Sequence, residues 1–260
     1  MLLDIPVDRG VNPSVRNNSA LKHASKHGHT EIVRLLLNLP LERGVDPAAA
    51  NNYTLRISCE FGRTEIVRLL LDLERGVDPA VHDNAALRFA CCNGHTKAAR
   101  LLLDLPLERG VDPSTRDNDA FRLACARGRT EIVRMLLDLP LERGVNPAAN
   151  YNEAIRSASG TGHTEIVRLL LNLPLERGID PAANNSRALR VACRNGYTEI
   201  VRLLLALPPE RGVDPAAENN DALLWASRNG HDEIVRLLLD LPLERGVAFR
   251  LANGHKEIVH

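Results

Sequence analysis

Aromatic residues are scarce. They make up 3% of the 260 residues, with a single Trp. A core built on Phe, Tyr and Trp is therefore excluded, and Leu, Val, Ile and Ala must supply the packing. Net charge is missing too, since 33 basic residues balance 33 acidic ones. No net field favours nucleic acid, an anionic membrane or an acidic substrate. Apolar runs are only a few residues long, against the ~20 residues that a bilayer-spanning helix needs. The opening stretch Met1–Pro6 lacks the basic start and apolar core of a signal peptide. The five cysteines include no Cys-x-x-Cys pair. Four of them, Cys59, Cys91, Cys125 and Cys193, fall on one recurring position and so stand a repeat apart. That is too far for a disulfide. They read as small buried hydrophobes of a reducing compartment, so a cytoplasmic or nuclear location is expected.

What the sequence has in abundance is repetition. Gly28, Gly62, Gly94, Gly128, Gly162, Gly196, Gly230 and Gly254 recur at steps of 34, with one step of 32 and a last of 24. One unit, NNSRALRVACRNGYTEIVRLLLALPPERGVDPAAE, runs from Asn184 to Glu218. Each unit can be folded on paper. Asn18, Asn52, Asn84, Asn118, Asn152, Ser186 and Asn220 stand three residues before the first core residue of a short helix 1. Asn and Ser favour helix N-caps, so this column starts helix 1. The recurring glycine ends it. Thr30 and its equivalents then cap helix 2, with Glu next at the positive end of the helix dipole. In helix 2, Ile32, Leu35, Leu36 and Leu39 follow the i, i+3, i+4, i+7 pattern, and Val33 and Leu37 widen that face. A helix this apolar must lie between helix 1 and the neighbouring units. Pro40 ends it. The connector Pro-Leu-Glu-Arg-Gly leads to an Asp-Pro turn. In the second unit the connector is two residues shorter, which places it on the surface.

The stretches Ala90-Cys91-Cys92-Asn93-Gly94-His95 and Glu131-Ile132-Val133-Arg134-Met135-Leu136-Leu137 resemble the ankyrin repeat. The resemblance recurs through nearly the whole chain, about seven times. It implies an all-α, ankyrin-type solenoid of stacked helix-turn-helix repeats, spanning residues 1–260 as one array. Two departures qualify it. The Thr-Pro-Leu-His start of an ankyrin unit is replaced by forms such as Ala85-Ala86-Leu87-Arg88. Helix 2 is followed by about four extra residues, and the lead into the next helix is about three shorter. The β-hairpin fingers are thus expected to be reduced or absent. The rival 34-residue tetratricopeptide repeat needs Trp, Gly-Tyr and Phe landmarks that are missing here. Residues 1–10 resemble the end of a unit, and the chain stops within a helix 2 at His260. The expectation is a segment of a longer array, or a degraded gene product. It would be a monomer, with uncapped ends open to end-to-end association.

No catalytic constellation is present. Ser159-Gly160-Thr161-Gly162 looks like the start of a phosphate loop, but no third glycine completes it and no strand precedes it, so it reads as a divergent end of helix 1. His29, His95, His163, His231 and His255 recur after the glycine. Stacked helices lie ~8–10 Å apart, so this column cannot converge on one metal ion. A hydrogen bond to the turn between helices is the better reading, and Arg63, Arg129 and Tyr197 replace the histidine elsewhere. The helix-2 arginines, Arg34 to Arg236, face Glu three residues earlier, with Lys97 the one reversal, and form a balanced, solvated stripe. No cofactor, no metal and no enzymatic activity are expected.

Variation among units clusters in two places: the loop and first turn before helix 1, and the end of helix 1. In the ankyrin family the matching positions line the concave groove that contacts partners. The resemblance implies a protein-protein interaction module, with a protein as partner and neither nucleic acid nor membrane. Candidate binding residues are Tyr53, Phe61, His82, Arg116, Arg127, Tyr151, Arg187, Arg194, Asp221, Trp225 and Arg228. Aromatic and Arg side chains lead because they dominate interface energies. Trp225 has a competing reading as core, since Ile57, Phe89, Leu123 and Val191 share its column. Two other functions remain open: an adaptor recruiting substrates, for example to a ubiquitin ligase, and a spacer or decaying array that binds nothing.

Overall fold

The computed structural model describes residues 12–73 and 76–242. The incomplete units expected at both ends, and the shortened connector at Glu74 and Arg75, lie outside the described residues. Among those residues are fourteen α-helices and no strand. The first helices of the units are Val15–His27 (α1), Ala49–Glu60 (α3), Val81–Asn93 (α5), Thr115–Ala126 (α7), Ala149–Thr161 (α9), Ala183–Asn195 (α11) and Ala217–Arg228 (α13). The second helices are Thr30–Leu37 (α2), Thr64–Leu71 (α4), Thr96–Leu103 (α6), Thr130–Leu137 (α8), Thr164–Leu171 (α10), Thr198–Leu205 (α12) and Asp232–Leu239 (α14).

The helices fall into two compact units. One lies within Met1–Ala124 and Arg134–Val145, the other within Cys125–Val133 and Asn146–His260. In the first, α1 packs on α3 and α3 on α5, while α2 packs on α4 and α4 on α6. In the second, α9 packs on α11 and α11 on α13, with α10 on α12 and α12 on α14. Helix 2 is buried as its composition requires. In α4, Ile66, Val67, Leu70 and Leu71 are all buried. In α6 the equivalent Ala98 and Ala99 are fully buried as well. Leu55 and Leu87 fill the helix-1 side, each contributing about 1.5–3 kcal/mol of burial.

The lead into helix 1 is where sequence and structure part. Three consecutive residues in every unit adopt the left-handed conformation, for example His82, Asp83 and Asn84 at φ +54°, +54° and +57°. The amide of Asn84 closes this turn on the Ala80 carbonyl at 3.0 Å. A left-handed residue costs roughly 1–2 kcal/mol, least for Asn and Asp, whose short side chains bond locally. That cost accounts for the run of Asn and Asp at these positions: Asn17-Asn18, Asn51-Asn52, Asp83-Asn84, Asp117-Asn118 and Asn184-Asn185.

The Asn column therefore needs a correction. It stands directly before the right-handed part of helix 1, as a cap would, but its side-chain oxygen serves the next unit. Oδ1 of Asn18, Asn52, Asn84 and Asn152 accepts the amides of Asp46, Asp78, Asp112 and Asp180 at 2.8–3.1 Å. The Ser186 hydroxyl oxygen accepts the Asp214 amide in the same way, at 2.8 Å. Those aspartates do the local turn work instead. Asp46 Oδ1 accepts the Ala48 amide at 2.8 Å, and Asp78 and Asp180 repeat the bond. The Thr column also departs from the capping expectation. The Thr64 hydroxyl donates to the Gly62 carbonyl at 3.4 Å rather than accepting a helix amide.

The extra residues after helix 2 form a short 3-10 turn, such as Leu107–Arg109. Its arginine explains the constant connector. Arg109 Nη1 donates to the Leu71 carbonyl at 3.4 Å and Nη2 to the Val77 carbonyl at 3.1 Å. Arg143 does the same to Leu103 and Val111. Carbonyls left open at the end of one helix 2 are thus satisfied from the following connector. The turn itself is superficial, with Leu107 and Leu141 largely exposed.

Candidate protein-binding face

The residues that hardly vary are held by framework contacts. His95 Nε2 lies 3.0 Å from the Glu60 carbonyl of the preceding unit, and His231 Nε2 lies 3.1 Å from the Arg194 carbonyl. The expected hydrogen bond to a turn exists, and its partner is the end of helix 1 one unit back. Arg63 fills the same place with Nε donating to the Lys26 carbonyl at 3.1 Å. The glycine beneath is required twice over. Gly62 has φ +65°, and a Cβ there would fall 2.4 Å from Nδ1 of His95. The helix-2 arginines pair with the glutamate of the next unit as well as their own. Arg34 Nη2 is 3.5 Å from Glu65 Oε1, Arg168 Nη2 is 3.2 Å from Glu199 Oε1, and Arg202 bonds Glu233. These pairs are about half exposed, so each adds little.

The positions that vary present the aromatic and charged side chains. In the first unit, Tyr53 and Phe61 are partly exposed on the helix-1 face. Lys22 lies 5.5 Å and Arg56 5.7 Å from the Tyr53 ring centre, and Lys26 lies 5.5 Å from that of Phe61. Ser19, Lys22, His23, Lys26 and Tyr53 line a cleft of about 210 Å³. His82 and Arg116 are exposed in left-handed turns. In the second unit, Trp225 is half-buried, with the Arg194 and Arg228 guanidinium groups over its ring at 4.5 and 5.1 Å. Trp225 is thus neither plain core nor free anchor. Tyr151 is 77% exposed at φ +56°. Arg127 and Arg187 are exposed. Asp221 is engaged by Arg190 Nη1 at 2.9 Å, both being mostly covered.

Sequence reasoning overlooked the helix-1 arginines. Arg56 and Arg122 donate through Nε and Nη2 to the two carbonyls of their own left-handed turns, Asn51 and Ala50, and Asp117 and Arg116. Arg190 clamps Asn185 and Asn184 likewise. The signal was the Arg five and six residues after the Asn-rich pair, a spacing that returns a long side chain to the turn. Also missed was Lys22, which, like Lys26 of the variable helix-1 end, reaches a ring one unit along the chain.

The recurring cysteines are not prepared for reaction. Burial pushes the thiols of Cys59, Cys91 and Cys125 up, and that of Cys193 up to about 12. All four are free and buried, as expected, and held as unreactive thiols. The described residues include no group of three or more His, Cys, Asp or Glu that could hold a metal ion. No helix among them is long and apolar enough to cross a membrane.

Comparison with known proteins agrees with this geometry. The family model for ankyrin repeats (3 copies) matches residues 1–83, 41–117, 87–185, 121–219 and 155–248. No curated protein matches the sequence. Among solved structures, the ankyrin repeat domain of Bcl-3, a member of the IkappaB family, is similar at 26% identity and a TM-score of 0.57. The match covers 84% of this chain and 98% of that one. The human ASB11 ankyrin repeat domain is similar in fold at 22% identity and a TM-score of 0.64, covering 86% of this chain and 99% of that one. A matching family model over almost the whole chain, joined to fourteen helices that alternate between a long first and a short second helix, makes this chain a member of the ankyrin repeat family.

Proposed function

We propose that this chain binds a partner protein on the loop and helix-1 face, and that its roughly seven repeats act as a single array. Ankyrin repeats in general are protein-interaction modules, and the family membership supports that class. One observation carries the choice of face. Exposed rings, Tyr53, Phe61 and Tyr151, stand on it with cations beside two of them, and its residues differ from unit to unit. The helix-2 arginines and connector arginines are instead consumed by bonds between units. Rings and arginines of this kind are the usual anchors of interfaces. Free buried thiols fit work in a reducing compartment, the cytoplasm or nucleus. The test is a pull-down with Tyr53, Phe61, Arg127 and Trp225 all replaced by Ala. Partner recovery falls at least about tenfold, since several anchors of 1 kcal/mol or more are lost together. Unchanged recovery with native helix content sinks the proposal.

A further inference from the structure

One cleft on this face is unlike the others. It lies between α9 and α11, has a volume of about 570 Å³, and is lined by Glu153, Arg156, Ser157, Gly160, Arg187 and Arg194, among others. It is open because α9 carries the smallest residue of two columns. Ser157 stands where the other units carry His23, Ile57, Phe89, Leu123, Val191 or Trp225, and Gly160 where they carry Lys26, Glu60, Cys92, Ala126, Arg194 or Arg228. Gly160 has an ordinary helical backbone, so no turn requires it. A glycine within a helix destabilises it relative to Ala. A Cβ there would meet Val191 Cγ2 at 3.3 Å, so the missing side chain opens the cleft onto its floor.

The charges in the cleft do not balance. Three guanidinium groups face one carboxylate, Glu153. Arg156 donates through Nη2 to the Asn150 carbonyl at 3.1 Å, while its Nε is buried with no acceptor. Its pKa is lowered by burial first and by the neighbouring Arg187 second, with Glu153 opposing. Arg187 is exposed and forms no ion pair or hydrogen bond among the described residues. An unmet buried donor beside an uncompensated like charge is an arrangement that an anion relieves.

We infer that the α9–α11 cleft receives an acidic side chain from an extended, Asp- or Glu-bearing segment of the partner protein. This rests on the interaction face proposed above and adds the chemistry of what it binds. Glu153 and the limited volume favour one or two carboxylates over a continuous phosphate backbone.

The experiment uses the whole chain and a fluorescein-labelled dodecapeptide of alternating Glu and Ser, read by fluorescence anisotropy at low salt. Lys-Ser and single-stranded oligonucleotide probes of matching length serve as comparisons. Wild type binds the Glu-Ser probe saturably and the Lys-Ser probe not at all. Arg187→Gln weakens binding about tenfold. Gly160→Arg separates the cleft from general attraction, because it adds a positive charge while filling the space. Loss of binding in Gly160→Arg, with native helix content, supports the inference. Tighter or unchanged binding overturns it, as does equal or stronger retention of the oligonucleotide. A partner protein whose capture ignores Gly160→Arg and Arg187→Gln, yet fails with the fourfold Ala variant, overturns this inference alone and leaves the binding face standing.

Discussion

Asn84 holds two roles in one side chain. Its backbone sits at φ +57°, and its Oδ1 accepts the amide of Asp112 at 3.1 Å while the residue is 3% exposed. Two substitutions separate the roles. Asn84→Ala strands a buried amide, which costs about 1–3 kcal/mol, and adds strain at positive φ. Asn84→Gly strands the same amide without that strain. Urea denaturation is expected to show both destabilised, with Gly less affected than Ala by about 1 kcal/mol. Equal losses would mean that the backbone strain is negligible. The sequence pointed to this column at once, because Asn recurs at the repeat period. It did not show the acceptor's direction. A cap and a bond to the next unit require the same residue type, and only the coordinates distinguish a donor two residues on from one 28 residues on.

At the scale of the element, the left-handed turn and helix 1 form one piece. The turn's carbonyls face the helix-1 arginine, as Asn185 and Asn184 face Arg190 at 3.0 and 3.3 Å. Tyr151 is the exception in its middle position, where other units use Asn or Asp. Tyr151→Asn is expected to raise stability by about 1 kcal/mol, since the ring is 77% exposed and loses little packing. Thermal denaturation checks this, and a lower melting temperature would show that the ring packs in a way its exposure hides. The same variant would weaken partner binding if Tyr151 is an anchor, the usual conflict between a stable turn and a working surface. Helix 2 was the most legible element, because Ile, Val and Leu at helical spacing leave only one way to bury them. The left-handed turn was the least legible. A period of 3.6 says nothing about handedness over three polar residues, and the Asn-rich composition was read as capping instead. The loss of the fingers was readable from length alone.

Over the whole molecule, neutrality conceals local excess. Lys22, Lys26 and Arg56 gather beside helix 1 in the first unit, and Arg156, Arg187 and Arg194 around Glu153 in the second, while Asp46, Asp78 and Asp180 are spent in turns. A zero net charge therefore excluded less than it first suggested, since partners feel a surface rather than a sum. The fold class was legible from the repeat period. The candidate binding residues were legible only as columns, because stacking of cations on Tyr53 and Trp225 depends on which units are neighbours. The proposal of a single array has its own test. Trp225 is the only tryptophan and lies in the second unit. Its fluorescence and the far-UV circular dichroism of all helices should lose their native signals at the same urea concentration. Separate midpoints would assign independent unfolding to the two units.

The bonds between units also bear on how such a chain grows. Successive units are joined by a recurring set of contacts: an Asn or Ser oxygen to a backbone amide, a connector arginine to backbone carbonyls, and a His ring, or Arg63 in its place, to a helix end. None of these contacts depends on which unit comes next. A copied or excised stretch of coding sequence one period long thus leaves behind a junction whose donors and acceptors already match. Length can drift by recombination without each new neighbour having to adapt at these joints.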